Sequence, residues 1–308
     1  MSRTKPTRVR RDLASSLSSE HGPALRAILK SGEAGSLDRF EDAVSDIWRG
    51  YRQAAIAMRD APLAHRLYNL WDGLTTTEVL ELLDFPETPE HVRARILEQL
   101  GHFNRLSRFA PTVLRALGPR LTRLSGAIGR PVRVLEIGCG DGNFCAAMSV
   151  WSREHGVPLE ITGGDLFPET VEQARANLAA EHGDVALEVI DALDMRGVEG
   201  GAYDLAICLQ TLHHFRPGKV ARAMAEAARV SRLGFFMVDV ARIPALLTIS
   251  RLGLPLLYDE AFVHDALISV RKAYSRSDLL LLASLASHDP RVRLLPPFHT
   301  LVEGGAGI

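Results

Sequence analysis

The chain has 308 residues, a formal net charge of -1, 46% hydrophobic residues and 24% charged residues, which is an ordinary composition for a soluble globular protein. The near-neutral charge argues against a nucleic-acid surface spread over the whole protein, although local basic patches remain open. No apolar run approaches the ~20 residues that a membrane span needs. The three cysteines have no metal-ligand spacing, so we expect a reduced, cytoplasmic protein without disulfide bonds.

The N-terminal part of the chain is predicted to be helical. Residues 1–11 are basic and lack the apolar segment of a secretory signal, which predicts a disordered tail, with a transit peptide as the alternative. Residues 12–124 show helical periodicity and form either a lid or a dimerisation region. Thr75 and Glu78 have the spacing of a capping box that opens a helix. Four residues are candidates for lining a pocket under such a lid, although a core or surface position is favoured for each: His65, Tyr68, Trp71 and Phe103.

The segment VRVLEIGCGDGNF, residues 132–144, is the most informative part of the chain. An apolar run rich in β-branched residues leads into alternating glycines, and a helical pattern follows. Strand, glycine turn and helix in this order are typical of the cofactor-binding start of a doubly wound α/β sheet. The third glycine of a dinucleotide fingerprint would fall at Asn143, so that fingerprint is not met. The pattern present is E-x-G-x-G-x-G, with Glu136 on the strand.

Strands and helices alternate from residue 131 onward, which is typical of a parallel sheet. Strands are predicted over residues 132–137, 159–166, 185–191, 203–210 and 234–240, with helices between them. Beyond these strands, we expect a helical insertion broken near Gly253, a helix that begins at Ser275 or Ser277, and antiparallel strands at the end of the chain.

The acid followed by alternating glycines resembles the first motif of class I S-adenosylmethionine-dependent methyltransferases. The likeness extends from about Pro131 to Val302. Within it, the segment QTLHHF (residues 210–215) and residues 264–279 resemble the small-molecule branch related to quinone-biosynthesis methyltransferases (ubiquinone/menaquinone). The resemblance implies a Rossmann-like, seven-stranded methyltransferase sheet over residues 125–308, with an N-terminal α-helical extension and S-adenosyl-L-methionine as the cofactor.

The resemblance also implies cofactor contacts at the carboxyl ends of four strands, where ligands of such sheets bind. Asp165 lies about two dozen residues beyond the glycine turn, as does the ribose-binding acid of dinucleotide folds. Asp191 is expected to accept a hydrogen bond from the adenine amine, with Asp194 as its competitor. The implied cofactor-binding residues are Glu136, Gly138, Cys139, Gly140, Asp165, Leu166, Asp191, Ala192 and Gln210.

Two adjacent histidines, His213 and His214, are the candidate catalytic residues, because a hydroxyl acceptor benefits from a base with a pKa near neutral. Side chains of neighbouring strand residues point opposite ways, so one of the two is expected to face the pocket. His214 is preferred, and a structural role for both is the alternative. No metal site is expected, because Gln210 falls near the position of the magnesium-binding aspartate in catechol-type enzymes. His264 and Arg271 either bind the acceptor or brace the sheet edge.

We therefore predict methyl transfer from S-adenosylmethionine to a small apolar or aromatic acceptor, at oxygen, in secondary metabolism. C-methylation of a quinone-like ring is the nearest rival. Two further functions stay open: a methyltransferase fold that binds the cofactor without transferring methyl (a partner subunit or a cyclase), and an NAD-dependent oxidoreductase. The expected partners are the small-molecule acceptor and a second copy bound through the N-terminal helices, with no nucleic acid.

Overall fold

The computed structural model describes residues 6–31, 33, 35–58, 61–85, 87–179 and 183–305. Its helices are α1 (Pro6–Ser31), α2 (Ser36–Ala57), α3 (Leu63–Thr75), α4 (Glu90–Leu106), α5 (Phe109–Ile128), α6 (Asn143–His155), α7 (Pro168–Leu178), α8 (Pro217–Val230), α9 (Pro244–Gly253), α10 (Glu260–Lys272) and α11 (Arg276–Ala286). Its strands are β1 (Val132–Ile137), β2 (Leu159–Asp165), β3 (Val185–Val189), β4 (Leu205–Leu209), β5 (Phe235–Val240), β6 (Arg291–Leu295) and β7 (His299–Gly304). Short 3₁₀ turns cover Leu82–Asp84, Leu212–His214 and Leu254–Leu256.

The seven strands form one sheet in the order β3-β2-β1-β4-β5-β7-β6. Strands β1 to β5 are parallel, and β7 is antiparallel to both β5 and β6. This confirms the predicted doubly wound, Rossmann-like sheet with antiparallel final strands, and each of the first five strands lies within its predicted range. The chain reverses its winding direction between β1 and β4, which is where ligands bind in such sheets.

Both faces of the sheet are covered, because side chains alternate between the two faces along a strand. On one face, Leu135 and Ile137 of β1 belong to a core shared with α1, α2, α8 and α11. On the other face, Val132 and Val134 belong to a core shared with α5 and α6. The sequence of β1 is apolar on both faces for this reason.

The N-terminal helices are built into these layers, with α1 packed on α11 and α2 packed on α8. Helix α1 begins at Pro6, so the predicted tail over residues 1–11 is wrong beyond residue 5, and residues 1–5 lie outside the described residues. The error arises because Arg10, counted as part of a solvated basic run, is buried and pairs with Asp72 at 3.0 Å. The Asp72 carboxylate is shared by three arginines, Arg10, Arg52 and Arg242.

The predicted capping box at Thr75 is also wrong, since α3 ends at this residue and no helix follows over residues 76–81. The Thr75 hydroxyl donates to the carbonyl oxygen of Trp71 at 2.8 Å and accepts from Arg242 Nη2 at 3.0 Å. Its oxygen is therefore committed to the end of one helix and does not cap another. By contrast, the N-cap of α11 is Ser275, one of the two predicted helix starts, and Ser275 forms a capping box there with Asp278.

All three cysteines are buried free thiols. None of the helices in the described part of the chain combines the length and apolar character that a membrane crossing needs.

Candidate active site

The glycine turn after β1 leaves open space in front of the sheet. Gly138, Gly140 and Gly142 all have positive φ, at 69°, 55° and 81°, a conformation that glycine adopts without steric cost. A Cβ added to Gly140 would meet no other heavy atom within 4 Å. At Gly140 the turn therefore presents bare backbone to open space. Its entry is tied to β2, because the N–H groups of Gly138 and Cys139 both donate to the carbonyl oxygen of Gly164.

Asp165 at the end of β2 faces this turn. Its carboxylate accepts hydrogen bonds from the N–H groups of Gly140 at 3.1 Å and Phe167 at 3.2 Å. These contacts fix the carboxylate beside the glycines, and its remaining lone pairs are available to hydroxyl donors. Leu166 and Phe167 are 49% and 60% exposed and form an apolar rim here.

The two candidate acids after β3 differ in their surroundings. Asp191 accepts from the N–H of Leu193 at 2.8 Å, next to the half-buried Ala192. Asp194 pairs with Arg196, whose Nε lies 2.7 Å from its Oδ1, and hydrogen bonds from that guanidinium outweigh desolvation and lower the pKa of Asp194 to about 2. Asp194 is therefore already paired with a guanidinium, whereas Asp191 accepts from a backbone N–H group.

Glu136 lies inside the sheet, only 2% exposed, and its Oε2 accepts a hydrogen bond from Cys145 Sγ at 2.9 Å. Burial raises the pKa of Glu136 to about 8, so the carboxyl holds a proton at neutral pH. Its predicted part in cofactor binding stays a prediction.

Gln210, directly after β4, connects the sheet to the helical extension. It adopts a φ of 52°, which is uncommon for a residue with a side chain and is often found at functional sites. Its amide exchanges two hydrogen bonds with the amide of Asn104 on α4, at 3.1 and 3.3 Å. This pair holds α4 at the carboxyl end of the sheet.

His213 and His214 lie on a 3₁₀ turn, with ring centroids 4.3 Å apart, and both line the same cavity. The prediction that only one of them faces the pocket is therefore wrong. It assumed the alternation of an extended strand, whereas the tight turn places both rings on the same side.

A carboxylate orients each histidine ring. His213 is buried, and its Nδ1 lies 2.6 Å from Asp239 Oδ1, while its backbone N–H donates to Asp239 Oδ2 at 2.8 Å. Burial lowers the pKa of His213, but the Asp239 and Glu81 carboxylates outweigh burial, and the pKa is raised. His214 is 31% exposed at its side chain, and its Nδ1 lies 3.0 Å from Asp84 Oδ1.

The segment before α4 supplies the remaining charges. Glu81 is buried, and among the described residues its Oε1 has no hydrogen-bond partner. Lys272 Nζ lies 3.1 Å from Asp84 and 3.6 Å from Glu81. Burial raises the pKa of Asp84, but the nearby His214 and Lys272 outweigh this effect, and the pKa is well below its usual range.

Helix α10 fixes the position of the turn Leu82–Asp84. The Asp265 carboxylate accepts hydrogen bonds from the N–H groups of Leu82 at 2.7 Å and Leu83 at 3.2 Å. His264 contacts the same carboxylate at 2.9 Å, and Arg271 Nε donates to the carbonyl oxygen of Thr75 at 3.1 Å. Neither His264 nor Arg271 lines the cavity. These contacts favour the bracing role over acceptor binding for both residues.

The cavity has an empty volume of about 800 Å³, counted out to its opening. Its walls come from the 3₁₀ turn before α4 and from α4, α9 and α10, and six of the apolar residues that line it are Leu83, Ile96, Phe103, Leu246, Leu254 and Phe262. Its polar end carries Glu81, Gln210, His213 and His214. An apolar cavity with a few convergent polar groups is typical of a small-molecule site.

Phe103 is the one of the four predicted pocket residues that lines this cavity. Tyr68 and Trp71 instead lie under the guanidinium groups of Arg10 and Arg242, at 5.1 and 5.0 Å, and His65 is buried. Both rings therefore pack against arginines that pair with Asp72, and neither lines the cavity.

Sequence reasoning missed four charged residues of the site: Glu81, Asp84, Asp239 and Lys272. Asp239 carried a usable signal, because it is a carboxylate within an otherwise apolar buried strand. Glu81 and Asp84 carried none, since their segment was predicted to be an amphipathic helix.

Comparisons with known proteins match part of the sheet region to a protein family. Residues 134–234 match the model of a family described as a methyltransferase domain. Over 94 residues the chain is 37% identical to the O-antigen chain terminator bifunctional methyltransferase/kinase WbdD of Escherichia coli. That match covers 30% of this chain and 12% of the relative, so the chain spans a small part of the relative's length.

Solved structures share the fold. The plantazolicin methyltransferase BamL, in complex with a triazolic desmethylPZN analog and SAH, has a TM-score of 0.52 and 14% identity, covering 72% of this chain and 92% of its own. The S-adenosylmethionine-dependent methyltransferase SibL, in its apo form, has a TM-score of 0.50 and 19% identity, covering 89% of this chain and 78% of its own. At these identities the likeness concerns the fold.

Proposed function

We propose that this chain, which carries a class I S-adenosylmethionine-dependent methyltransferase domain, transfers a methyl group to an oxygen atom of a small, largely apolar acceptor. S-adenosyl-L-methionine as the cofactor follows from the domain. The acceptor class and the receiving atom are the proposal, as is the assignment of individual residues below.

A single observation carries the proposal: one short segment separates the glycine turn from the cavity. A Cβ added to Gly138 would lie 2.9 Å from Thr211 Oγ1, so the turn and this segment are in close contact. Gln210, His213 and His214 of the same segment line the cavity. A cofactor seated on the glycines and an acceptor in the cavity would therefore meet across residues 210–214.

The residues present at the turn fit the cofactor. The open space at Gly140 admits a ligand against bare backbone, and Asp165 offers a fixed carboxylate for the ribose hydroxyls. Asp191 and the backbone of Ala192, which follow β3, would bind the adenine. When bound, S-adenosylmethionine supplies a methyl group that its sulfonium has already activated.

On the acceptor side, the chain orients the substrate and accepts a proton. The apolar walls exclude water and hold an apolar acceptor, and positioning of this kind supplies much of the acceleration in such a transfer. The Nε2 atoms of His213 and His214 are the proton acceptors, and Asp239 and Asp84 hold their rings in place. Two imidazoles at the polar end favour O-methylation over the rival C-methylation.

Transfer of labelled methyl tests the proposal. The purified protein is supplied with S-adenosylmethionine labelled with ¹³C in the methyl group and a panel of phenols, each paired with its O-methyl ether as a control. We expect label on the hydroxyl oxygen of phenols and none on the ethers. Label on a ring carbon would favour C-methylation. Binding of S-adenosylhomocysteine with no release of label to any acceptor would favour a non-transferring fold.

Two further predictions remain proposals. A place in secondary metabolism is supported by the name of BamL, a plantazolicin methyltransferase. Association of two copies through the N-terminal helices is supported by four exposed leucines that recur along α3, namely Leu63, Leu67, Leu70 and Leu74. Sedimentation of the protein, compared with a variant carrying Leu67→Glu and Leu70→Glu, tests that association.

A further inference from the structure

Three side chains at the polar end of the cavity, those of Glu81, His213 and His214, have possible metal-ligand atoms close to one another. His213 Nε2 lies 3.7 Å from Glu81 Oε1, and His214 Nε2 lies 4.0 Å from Glu81 Oε2. One atom from each of the three residues can be chosen so that all lie within 4.8 Å of one another. Such spacings suit a common ion, since metal–ligand distances for nitrogen and oxygen are about 2.0–2.2 Å.

Both histidines are held as metal-binding histidines are held. In each ring the Nδ1 atom is engaged by a carboxylate, Asp239 for His213 at 2.6 Å and Asp84 for His214 at 3.0 Å. A histidine that donates its Nδ1–H to a carboxylate directs its Nε2 lone pair outward, and this second contact fixes the tautomer and ring orientation in metal sites. Here both Nε2 atoms are directed toward the same glutamate.

Glu81 supplies an independent observation. Its side chain is 5% exposed, it lines the cavity, and its Oε1 has no hydrogen-bond partner among the described residues. A buried carboxylate oxygen without a partner is costly unless a cation or a donor satisfies it. Lys272 Nζ, at 3.6 Å, approaches it but lies beyond hydrogen-bond distance.

The net charge around the two histidines is negative, which favours binding of a divalent cation. Three carboxylates contact the two histidines, those of Glu81, Asp84 and Asp239. Among the described residues, Lys272 is the ammonium group that approaches Glu81 and Asp84. With neutral histidines the cluster therefore has an excess of two negative charges.

We propose that Glu81, His213 and His214 bind a divalent transition-metal ion of the Zn²⁺, Mn²⁺ or Fe²⁺ class. Two imidazoles and one carboxylate are a ligand set that these ions share. The expectation of no metal considered only the position of Gln210, and these ligands come from other positions.

The consequence for the acceptor rests on the proposed function. An acceptor oxygen that enters the cavity would meet the ion, and a hydroxyl bound to a metal ion ionises more readily. With the ion bound, both Nε2 atoms are ligands and no longer accept a proton. The ion then replaces them as the group that favours the ionised acceptor, and the proton of the hydroxyl would pass to water at the cavity opening.

Metal uptake by the full chain tests the site without any need for turnover. The protein is treated with a chelator, dialysed and titrated with Zn²⁺, Mn²⁺ and Co²⁺, and bound metal is measured by mass spectrometry after gel filtration. The variants are Glu81→Gln, which keeps the size of the side chain, and His214→Gln. The control is His264→Gln, because His264 is also held at Nδ1 by a carboxylate, Asp265, but lies outside the cavity lining.

We expect about one ion per chain, with an affinity at least about 100-fold lower in Glu81→Gln and His214→Gln and unchanged in His264→Gln. Bound Co²⁺ should also show the visible absorption of a histidine-ligated ion, lost in Glu81→Gln. The inference is overturned if the wild-type protein retains no metal, or if both site variants bind as much as the wild type.

S-adenosylhomocysteine binding is measured on every sample and separates this inference from the proposed function. Unchanged binding shows that the variants are folded and that a loss of metal belongs to the site. Failure of the wild-type protein to bind the nucleoside would contradict the proposed function and leave the metal result standing.

Discussion

Gly140 and Gly129 allow a matched test of the proposal that the cofactor binds at the glycine turn beside Asp165. Both have positive φ, 55° and 70°, and a Cβ added at either one would meet no other heavy atom within 4 Å. Gly140 lies in the turn beside Asp165, whereas Gly129 ends α5, outside the turn. The substitutions Gly140→Ala and Gly129→Ala therefore impose the same backbone strain at two different places.

The magnitudes follow from this match. A left-handed alanine costs about 1–2 kcal/mol, so both variants should lose a similar free energy of unfolding. Only the methyl group at position 140 would occupy space that the ligand needs. We expect S-adenosylhomocysteine affinity to fall at least about tenfold in Gly140→Ala, or ~1.4 kcal/mol, and to stay at the wild-type level in Gly129→Ala.

Calorimetric titration with S-adenosylhomocysteine measures the affinity, and urea denaturation measures the free energy of unfolding. Wild-type affinity for S-adenosylhomocysteine in both variants would refute the assignment of Gly140 to the cofactor site. A parallel loss of affinity in both would show that strain, and not the occupied space, weakens binding.

Three other predictions concern buried titratable side chains. Asp72→Asn leaves the buried Arg10 and Arg242 and the half-buried Arg52 without their carboxylate and should lower the free energy of unfolding by about 3–5 kcal/mol; a loss below about 1 kcal/mol in urea denaturation would contradict the network. Glu136 has a pKa of about 8 in the folded protein against an ordinary 4.5, so between these pH values the folded state holds a proton that the unfolded state has lost, and the free energy of unfolding should fall as the pH rises from 4.5 to 8. Glu136→Gln should remove this pH dependence, and the same dependence of the free energy of unfolding on pH in variant and wild type would contradict the argument. Burial lowers the pKa of His299 from 6.5 to about 4, so the contribution of the neutral His299 to the free energy of unfolding should be lost as the pH falls from 6.5 to 4. The difference in free energy of unfolding between wild type and His299→Gln should change over this pH range, and a constant difference would contradict the burial argument.

The α/β part of the fold was predictable because its signals are local. A β-branched run before alternating glycines predicts β1 and its turn, and the serines at 275 and 277 predict the start of α11 to within two residues. The carboxyl ends of parallel strands lie at one edge of the sheet, so Asp165 and Asp191 could be assigned to the same ligand-binding edge from strand positions alone.

The acidic half of the site was not predictable, because its contacts are distant in sequence. Asp265 positions the turn at Leu82 from 183 residues away, and Lys272 reaches Asp84 across 188 residues. Arg10 was assigned to a tail because its partner, Asp72, is 62 residues away. A basic run has the composition of a solvated segment until the carboxylate that buries it is known.

The packing of α1 against α11 has a consequence for biosynthesis. Residues 6–31 leave the ribosome long before residues 276–286, and Arg26 finds its partner, the carbonyl oxygen of Ser284, 258 residues later. The apolar face of the first helix therefore lacks this partner until α11 has been synthesised. A nascent chain arrested before α11 would leave that face uncovered by α11.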